Sequence, residues 1–502
     1  MQFYEIDGAL QEAIIAAEKP VRLKIEIDMG GHFESIFEDE IIEANFYSLK
    51  EVAGGVSSRG EVLLSGNRYQ GKGINGVGRE VRVSFSIGEG LPYFQRFIFY
   101  IDDKGFQDIR GSGRKRFVRI GLQDLSARLR KTDEARDWTS PAVFPYSVVC
   151  DKTQTEKSLV HSIAARAGLA VTDIDCSTIP ITLPYIRLRR NVWAELSSMA
   201  TAYRCHLECT TEKPLVFAHS PYQTEPLTDT DIVHVFTGDT IFYLRTIEKA
   251  ELYRNTVRLK FNMPVALEKQ EIWRYDEQPV FYDEFLQAHY PFKFPLVREI
   301  ETTNYEANYK ITDVSGKERN VIFADDIDTQ EEAENRLDYN GGAFSYSRYD
   351  VTTYYDKAIV KLHKENDGDL YHAAIFGKPI VLDLNRSCFM RDVEAVERFG
   401  TVALNVTGSY FSDDVVNEKS GIPISHYEDW VIRELAERIH NKREYTVKTH
   451  RGLFHARVGA KVKVKSEKVK DTIEAVGMIT ALSFRYKCDE AFISTFRILA
   501  ES

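Results

Sequence analysis

Cys205-His206-Leu207-Glu208-Cys209 places four side chains of metal-ligand type within five positions, so the search for chemistry starts there. The run reads as a strand, with a second strand candidate at Leu215–Ala218, and a strand sends successive side chains to opposite faces. Positions 205, 207 and 209 then face one way and His206 the other, so the ligands diverge. Cys150 and Cys176 would join them only by accident of folding. The six cysteines of so long a chain read as buried thiols, not as a disulfide scaffold.

Gly71-Lys72-Gly73-Ile74-Asn75-Gly76 fits the letters of the dinucleotide fingerprint. That chemistry needs a helix N-terminus after the glycines, where amides and dipole meet the pyrophosphate. A strand, Val81–Ile87, comes next instead, so a glycine-rich loop is the reading. Arg110-Gly111-Ser112-Gly113-Arg114-Lys115-Arg116 and Arg187-Leu188-Arg189-Arg190 are basic enough to touch phosphate, yet read as solvated turns or interface charges. Lys461, Lys463 and Lys465 alternate as on a wet face or a guarded edge. The pairs Asp102-Asp103, Asp325-Asp326 and Asp413-Asp414 have the residue type for glycoside cleavage, but adjacent acids in turn-like sequence are commonplace. No His-Glu-x-x-His, Gly-x-Ser-x-Gly or Walker-type loop occurs. No catalytic, cofactor-binding or metal residue is assigned, and no cofactor is expected.

The elements that would hold these residues are mostly strands. A short N-terminal helix comes first, capped by Asp7, with Leu10, Ile14 and Ala17 on one face and Pro20 beyond its end. Then the period becomes two: Val21, Leu23, Ile25 and Ile27 alternate with charged residues. Strand signals at Glu61–Leu64, Val81–Ile87, Arg96–Ile101 and Val118–Leu122, separated by glycine-rich turns, predict an antiparallel barrel or sandwich over 21–125.

Residues 126–235 read as an α+β insertion. Thr155 is expected to cap a helix over Glu156–Ala167 that stops at Gly168, and Asn191 a second one carrying Trp193, Leu196, Ala200 and Tyr203. Residues 236–424 form a second β-rich region. In it Val257, Leu259 and Phe261, then Ala358, Val360 and Leu362, alternate with their neighbours. A helix is expected near Asp328–Tyr339, and an irregular arm over 263–345. Residues 425–502 open on the capping box Ser425-His426-Tyr427-Glu428. A helix striped by Tyr427, Val431, Leu435 and Ile439 follows, then strands Tyr445–Thr449, Ala460–Lys465, Gly477–Tyr486 and Ala491–Leu499, a C-terminal barrel. The fold class is mainly β: two antiparallel β-barrel domains, an α+β insertion and accessory parts.

The bulk numbers agree with a folded multidomain protein. The 502 residues exceed one hydrophobic core, and 43% hydrophobic content is ordinary. A net charge of −11 argues against a broad nucleic-acid grip but suits a duct wall that repels phosphate. The N-terminus has no basic segment followed by an apolar run, so no secretory leader is expected, and no apolar run has the length of a membrane span.

In order and pattern the chain resembles the hub proteins of phage tails and related contractile injection devices. Val21–Asp28 matches the opening strand. Gly60–Tyr69 resembles the strand that ends in Asn with an aromatic two residues on. Arg79–Ile87 with Arg96–Asp102 looks like the next hairpin, and Leu122–Leu125 closes that barrel. Asn191–Leu196 with Lys213–Phe217 resembles the insertion, and Val458–Val464 with Gly477–Leu482 a recurring strand pair near the C-terminus. The resemblance covers residues 15–262 and 425–500. It implies a non-enzymatic homotrimer whose two barrels per subunit adapt a six-fold tail tube to a three-fold tip and form the channel mouth. The implied neighbours are tail tube or distal tail protein, tape-measure protein, and spike or fibre protein. DNA would pass without specific binding, and no membrane insertion is implied. Such a protein is made in the bacterial host cytoplasm and resides at the tail tip of the virion. Because the chain stops at Ser502, no lytic domain is expected. The rival reading is a carbohydrate-active β-protein with carboxylates in an interdomain groove; an adhesin-like surface protein is a third, disfavoured by the missing leader.

Overall fold

The computed structural model describes residues 4–16, 20–51, 54–66, 68–110, 116–131, 143–188, 190–219, 232–268, 270–277, 297–302, 310–312, 318–320, 323–325, 348–353, 358–363, 371–419, 421–466 and 473–501. The expected helix near Asp328–Tyr339 and most of the arm over 263–345 lie outside these residues. After helix α1 (Gly8–Ala16) come strands β1 (Val21–Asp28), β2 (Phe33–Ile36), β3 (Ile41–Lys50), β4 (Gly55–Ser65), β5 (Glu80–Ile87), β6 (Phe94–Arg110) and β7 (Arg116–Gln123). An α+β segment follows: α2 (Leu125–Lys131), β8 (Val143–Cys150), α3 (Leu159–Arg166), β9 (Ile174–Cys176), β10 (Ile179–Arg187), α4 (Val192–Ala202), β11 (Cys205–Glu208) and β12 (Leu215–His219).

Next are β13 (His234–Thr237), β14 (Tyr243–Glu248), β15 (Thr256–Ala266), β16 (Gln270–Glu277) and short strands β17 to β22 between Val297 and His363. The chain closes with β23 (Tyr371–Arg391), α5 (Val393–Phe399), β24 (Ala403–Gly408), β25 (Val415–Lys419), β26 (Ile422–Ser425), α6 (His426–Arg438), β27 (Lys442–Thr449), β28 (Lys461–Ser466), β29 (Ile473–Lys487) and β30 (Ile493–Glu501). The protein is mainly β, with large, mostly antiparallel sheets, as its alternating sequence predicts.

The main sheet runs β14-β27-β30-β29-β3-β4-β7-β6-β5-β1-β2, so strands from both ends of the chain share it. The weld is β3 against β29, with Phe46 opposite Phe484 and Tyr47 opposite Ser483. Period two decides what each strand buries: Leu23, Ile25 and Ile27 of β1 point inward, while Lys24 and Glu26 pair at 3.1 Å on the wet face. Beneath the sheet Phe85 stacks on Phe454 with ring centroids 5.3 Å apart and meets Phe484 edge-on at 5.9 Å. N- and C-terminal aromatics thus fill one core, where each such ring contributes about 1.5–3 kcal/mol by leaving water. Helix α1 lays Leu10 and Ile14 into it; Asp7 caps the helix by accepting from the Ala9 amide at 2.9 Å.

A second core holds Trp193, Leu196, Leu207 and Phe217 of the α+β segment, Val257, Leu259 and Phe261 of β15, and Trp430, Val431 and Leu435 of α6. Asn191 caps α4 as expected, accepting from the Ala194 amide at 2.8 Å. Glu428 accepts from the Ser425 amide at 3.0 Å at the start of α6.

Two local expectations need correction. Thr155 caps no α-helix: Thr155–Lys157 is a 3₁₀ turn and α3 starts at Leu159. The break falls at Ser158, whose extended backbone bridges to Val148 of β8, a pairing no helical residue can make. Gly168 does stop the helical segment in the left-handed conformation (φ +79°). Nor is β28 a guarded edge. It lies between β13 and β29, its Lys461 is buried, and Lys463 reaches Glu474 at 2.5 Å.

Candidate functional site

A concentration of buried charge sits where the α+β segment meets the main sheet. β11 adds in parallel to β4, with Leu207 opposite Gly55. Gly55 is required there because a Cβ would lie 2.6 Å from Cζ2 of Trp193. On this strand Leu207 faces the second core, while His206 and Glu208 share the opposite side and bond to each other at 3.0 Å. The Glu208 carboxylate also accepts from Nη2 of Arg457 at 2.8 Å, and Tyr4 Oη stands 3.5 Å away. Arg96 of β6 completes the group: it donates to the Ala456 carbonyl at 3.0 Å and lies over the Tyr4 ring at 4.5 Å.

Tyr4, Arg96, Glu208 and Arg457 therefore tie together the N-terminus, β6, the α+β segment and the loop before β28. Burial alone would raise the Glu208 pKa, but the Arg457 charge, the His206 contact and Arg96 bring it down to about 2. Burial, then Glu208, push the Tyr4 phenol up to about 12, and burial lowers His206, which keeps its imidazole neutral. The arrangement has the chemistry of a lock: its charges face one another and are spent on holding segments together.

A second latch joins α6 to the end of α4. His426 Nε2 donates to the Ala202 carbonyl at 3.0 Å and Trp430 Nε1 to the Thr201 carbonyl at 3.2 Å, filling acceptors that a helix C-terminus leaves open. Arg204 pairs with Glu434 at 3.2 Å and with Glu437. Glu195 receives the Arg190 amide at 2.8 Å and the Tyr410 hydroxyl, and Tyr203 Oη donates to the Tyr410 carbonyl at 2.6 Å.

The residues singled out from sequence fall as follows. Gly71–Gly76 forms a turn with a 3₁₀ segment (Gly73–Gly76) and leads into β5, not a helix. Cys205 of β11 is buried, Cys209 half-buried, and burial raises both thiol pKa values. Cys150 and Cys176, expected as separate thiols, meet sulfur to sulfur, because β9 pairs with β12 and β8 with β10 to bring their ends together. Sequence spacing carried no signal for that pairing. Asp103 pairs with Lys131 at 2.5 Å and Asp413 with Arg386 at 2.7 Å, while Asp414 accepts from the Thr182 amide at 2.6 Å. Asp102 accepts from the Lys104 amide at 3.0 Å. These acids are each bound into turns or latches, not aimed as pairs into one groove. Arg110 and Arg116 close the β6–β7 hairpin, and 111–115 lie outside the described residues, as do Arg189 and Asp326. Arg190 pairs with Glu195 at 2.9 Å, and Leu188 is buried.

The surface offers docking features of another kind. Among the described residues β14 and β2 end the main sheet's path, and β24 pairs only with β15. Exposed apolar side chains gather at the end of β23 and on α5 (Phe389, Met390, Val393, Phe399) and on the β25–β26 hairpin (Val415, Val416, Ile422). No helix among the described residues is long and apolar enough to cross a membrane.

Neither a protein-family model nor a curated protein matches this chain. Among solved structures it is similar to the 43 kDa tail protein of prophage MuSo2 from Shewanella oneidensis, at 11% identity and TM-score 0.47 over 95% of this chain and 98% of that one. It is similar to a tail protein from Neisseria meningitidis MC58, at 10% identity and TM-score 0.48 over 96% and 97% of the two chains. A type VI secretion component from E. coli, itself described as similar to bacteriophage T4 tail proteins, is similar at 8% identity and TM-score 0.40 over 95% of this chain and 77% of that one.

Proposed function

We propose that this chain is a structural hub at the distal end of a phage or phage-like tail, without enzymatic activity. The observation that carries the reading is the weld of both ends of the chain into one sheet through β3 and β29, with the α+β segment locked onto it by Tyr4, Arg96, Glu208 and Arg457. A subunit so cross-tied resists load between its parts. The hub resemblance of Val21–Asp28, Arg79–Asp102 and the C-terminal strand pairs supports the same reading.

In this proposal three copies form a ring that adapts the six-fold tube to a three-fold tip and makes the channel mouth. Open sheet edges and the apolar side chains of α5 and the β25–β26 hairpin supply surfaces for such assembly. The ring contacts tail tube or distal tail protein, tape-measure protein and a spike or fibre protein, in the virion tail tip. DNA passes its acidic wall without specific contacts, and the protein inserts in no membrane. The five-part division (1–20, 21–125, 126–235, 236–424 and 425–502) belongs to this proposal. Negative-stain images of the purified chain test it: rings with three-fold symmetry and a central hole are expected. Single particles that stay single after tail-tube and spike proteins are added would overturn it.

A further inference from the structure

Cys150, at the end of β8, Cys176, at the end of β9, and His161, in the first turn of α3, converge inside the second core. Their ligand atoms lie within 4.8 Å of one another, and all three residues are buried. Each is placed by backbone pairing: Cys150 lies opposite Ile179, Cys176 opposite Phe217, and the bridge from Val148 to Ser158 sets the start of α3 beside β8. Ser158 Oγ stands 2.7 Å from Nδ1 of His161. With the Nδ1 proton donated to that hydroxyl, the imidazole lone pair falls on Nε2, which has no hydrogen-bond partner among the described residues.

We propose that Cys150, Cys176 and His161 form a structural site for a thiophilic divalent metal ion of the zinc class in the reduced protein. Two soft sulfurs and an imidazole are the donor set such an ion selects, and a histidine whose other nitrogen is held by a neighbouring group is the usual arrangement around it. Among the described residues the group holds two cysteines and one histidine, with no Asp or Glu.

The chemistry balances as follows. Where the sulfurs are bonded to each other, two electrons and two protons from a dithiol reductant open the S–S bond to two thiols. The ion then binds both sulfurs as thiolates and releases those two protons. The metal staples β8, β9 and α3, elements otherwise joined through short pairings. This inference does not rest on the tail-hub reading.

The test uses the full chain purified with a dithiol reductant and then exchanged into buffer without it. One equivalent of zinc per chain is expected by mass spectrometry of the metal content. Cobalt(II) loading should give thiolate-to-cobalt charge-transfer absorption and the visible bands of a tetrahedral ion. Cys150→Ser, Cys176→Ser and His161→Gln should each lose those bands. Should these variants fail to fold, Ser158→Ala leaves all three ligands in place and should weaken cobalt affinity about 10- to 100-fold. A reduced chain free of metal that gives no cobalt bands would overturn the proposal. So would bands unchanged in His161→Gln, or a Cys150–Cys176 disulfide that persists in chains alkylated directly in fresh lysate.

Discussion

Glu208→Gln keeps the shape of the buried lock and removes the carboxylate charge that Arg457 and Arg96 share. In the folded chain the Glu208 carboxyl drops from its ordinary 4.5 to about 2, against the opposing effect of burial. At about 1.4 kcal/mol per pKa unit that drop corresponds to roughly 3 kcal/mol, close to the ~3–5 kcal/mol cost of breaking a buried ion pair from one side. Stability from a depressed carboxyl is complete above its ordinary pKa and is lost as the pH falls through the folded value. The native chain should therefore shed this increment between about pH 4.5 and pH 2, while Glu208→Gln lacks it throughout. Urea unfolding followed by tryptophan fluorescence suits the measurement, since Trp193 and Trp430 lie in the core beside β11. Amide exchange on β11 and β4 gives a local readout that does not assume two-state unfolding. The double variant Glu208→Gln with Arg457→Gln should recover part of the loss. A loss at pH 7 below about 1 kcal/mol, or one equally large at pH 2, would refute the reasoning.

Further outcomes follow from the same structure. Burial, then nearby positive groups, holds His234 and His455 at about 4, so the unfolded chain takes up protons first. Thermal stability should fall as the pH drops from about 6.5 toward 4, and His455→Gln should flatten that fall. Gly55→Ala drives a methyl to within 2.6 Å of Trp193; it should cost about 1–3 kcal/mol and speed amide exchange on β11 while leaving β28–β29 protected. Phe389→Asp combined with Phe399→Asp changes two exposed side chains. Self-association should weaken in sedimentation velocity, with the circular-dichroism spectrum unchanged.

Local structure was legible where a short run of residues decides it. Val21–Asp28 alternates cleanly and is a strand; Ser425-x-x-Glu428 opens a helix; Asn191 caps another. What the sequence did not disclose is which distant segments meet. Arg96 and Ala456 are 360 residues apart, yet their hydrogen bond closes the lock. The only trace of it was a charge beside the apolar run Phe97-Ile98-Phe99, and another, Arg457, between buried Ala456 and Val458. The Lys461–Lys465 alternation left a guarded edge open as a reading because an edge and an interior strand have the same period, and the parallel partner β13 comes from over 220 residues earlier. Thr155 misled because cap chemistry is local, while the bridge from Ser158 to β8 is not. The Cys150–His161–Cys176 cluster was invisible for the same reason.

The proposed assembly of three copies into a ring is tested by the molar mass in solution, from multi-angle light scattering. A species at three times the chain's 57.6 kDa, stable on dilution and alone or with tail-tube and spike proteins added, is the predicted result. A mass that stays at 57.6 kDa with those partners present would contradict the account.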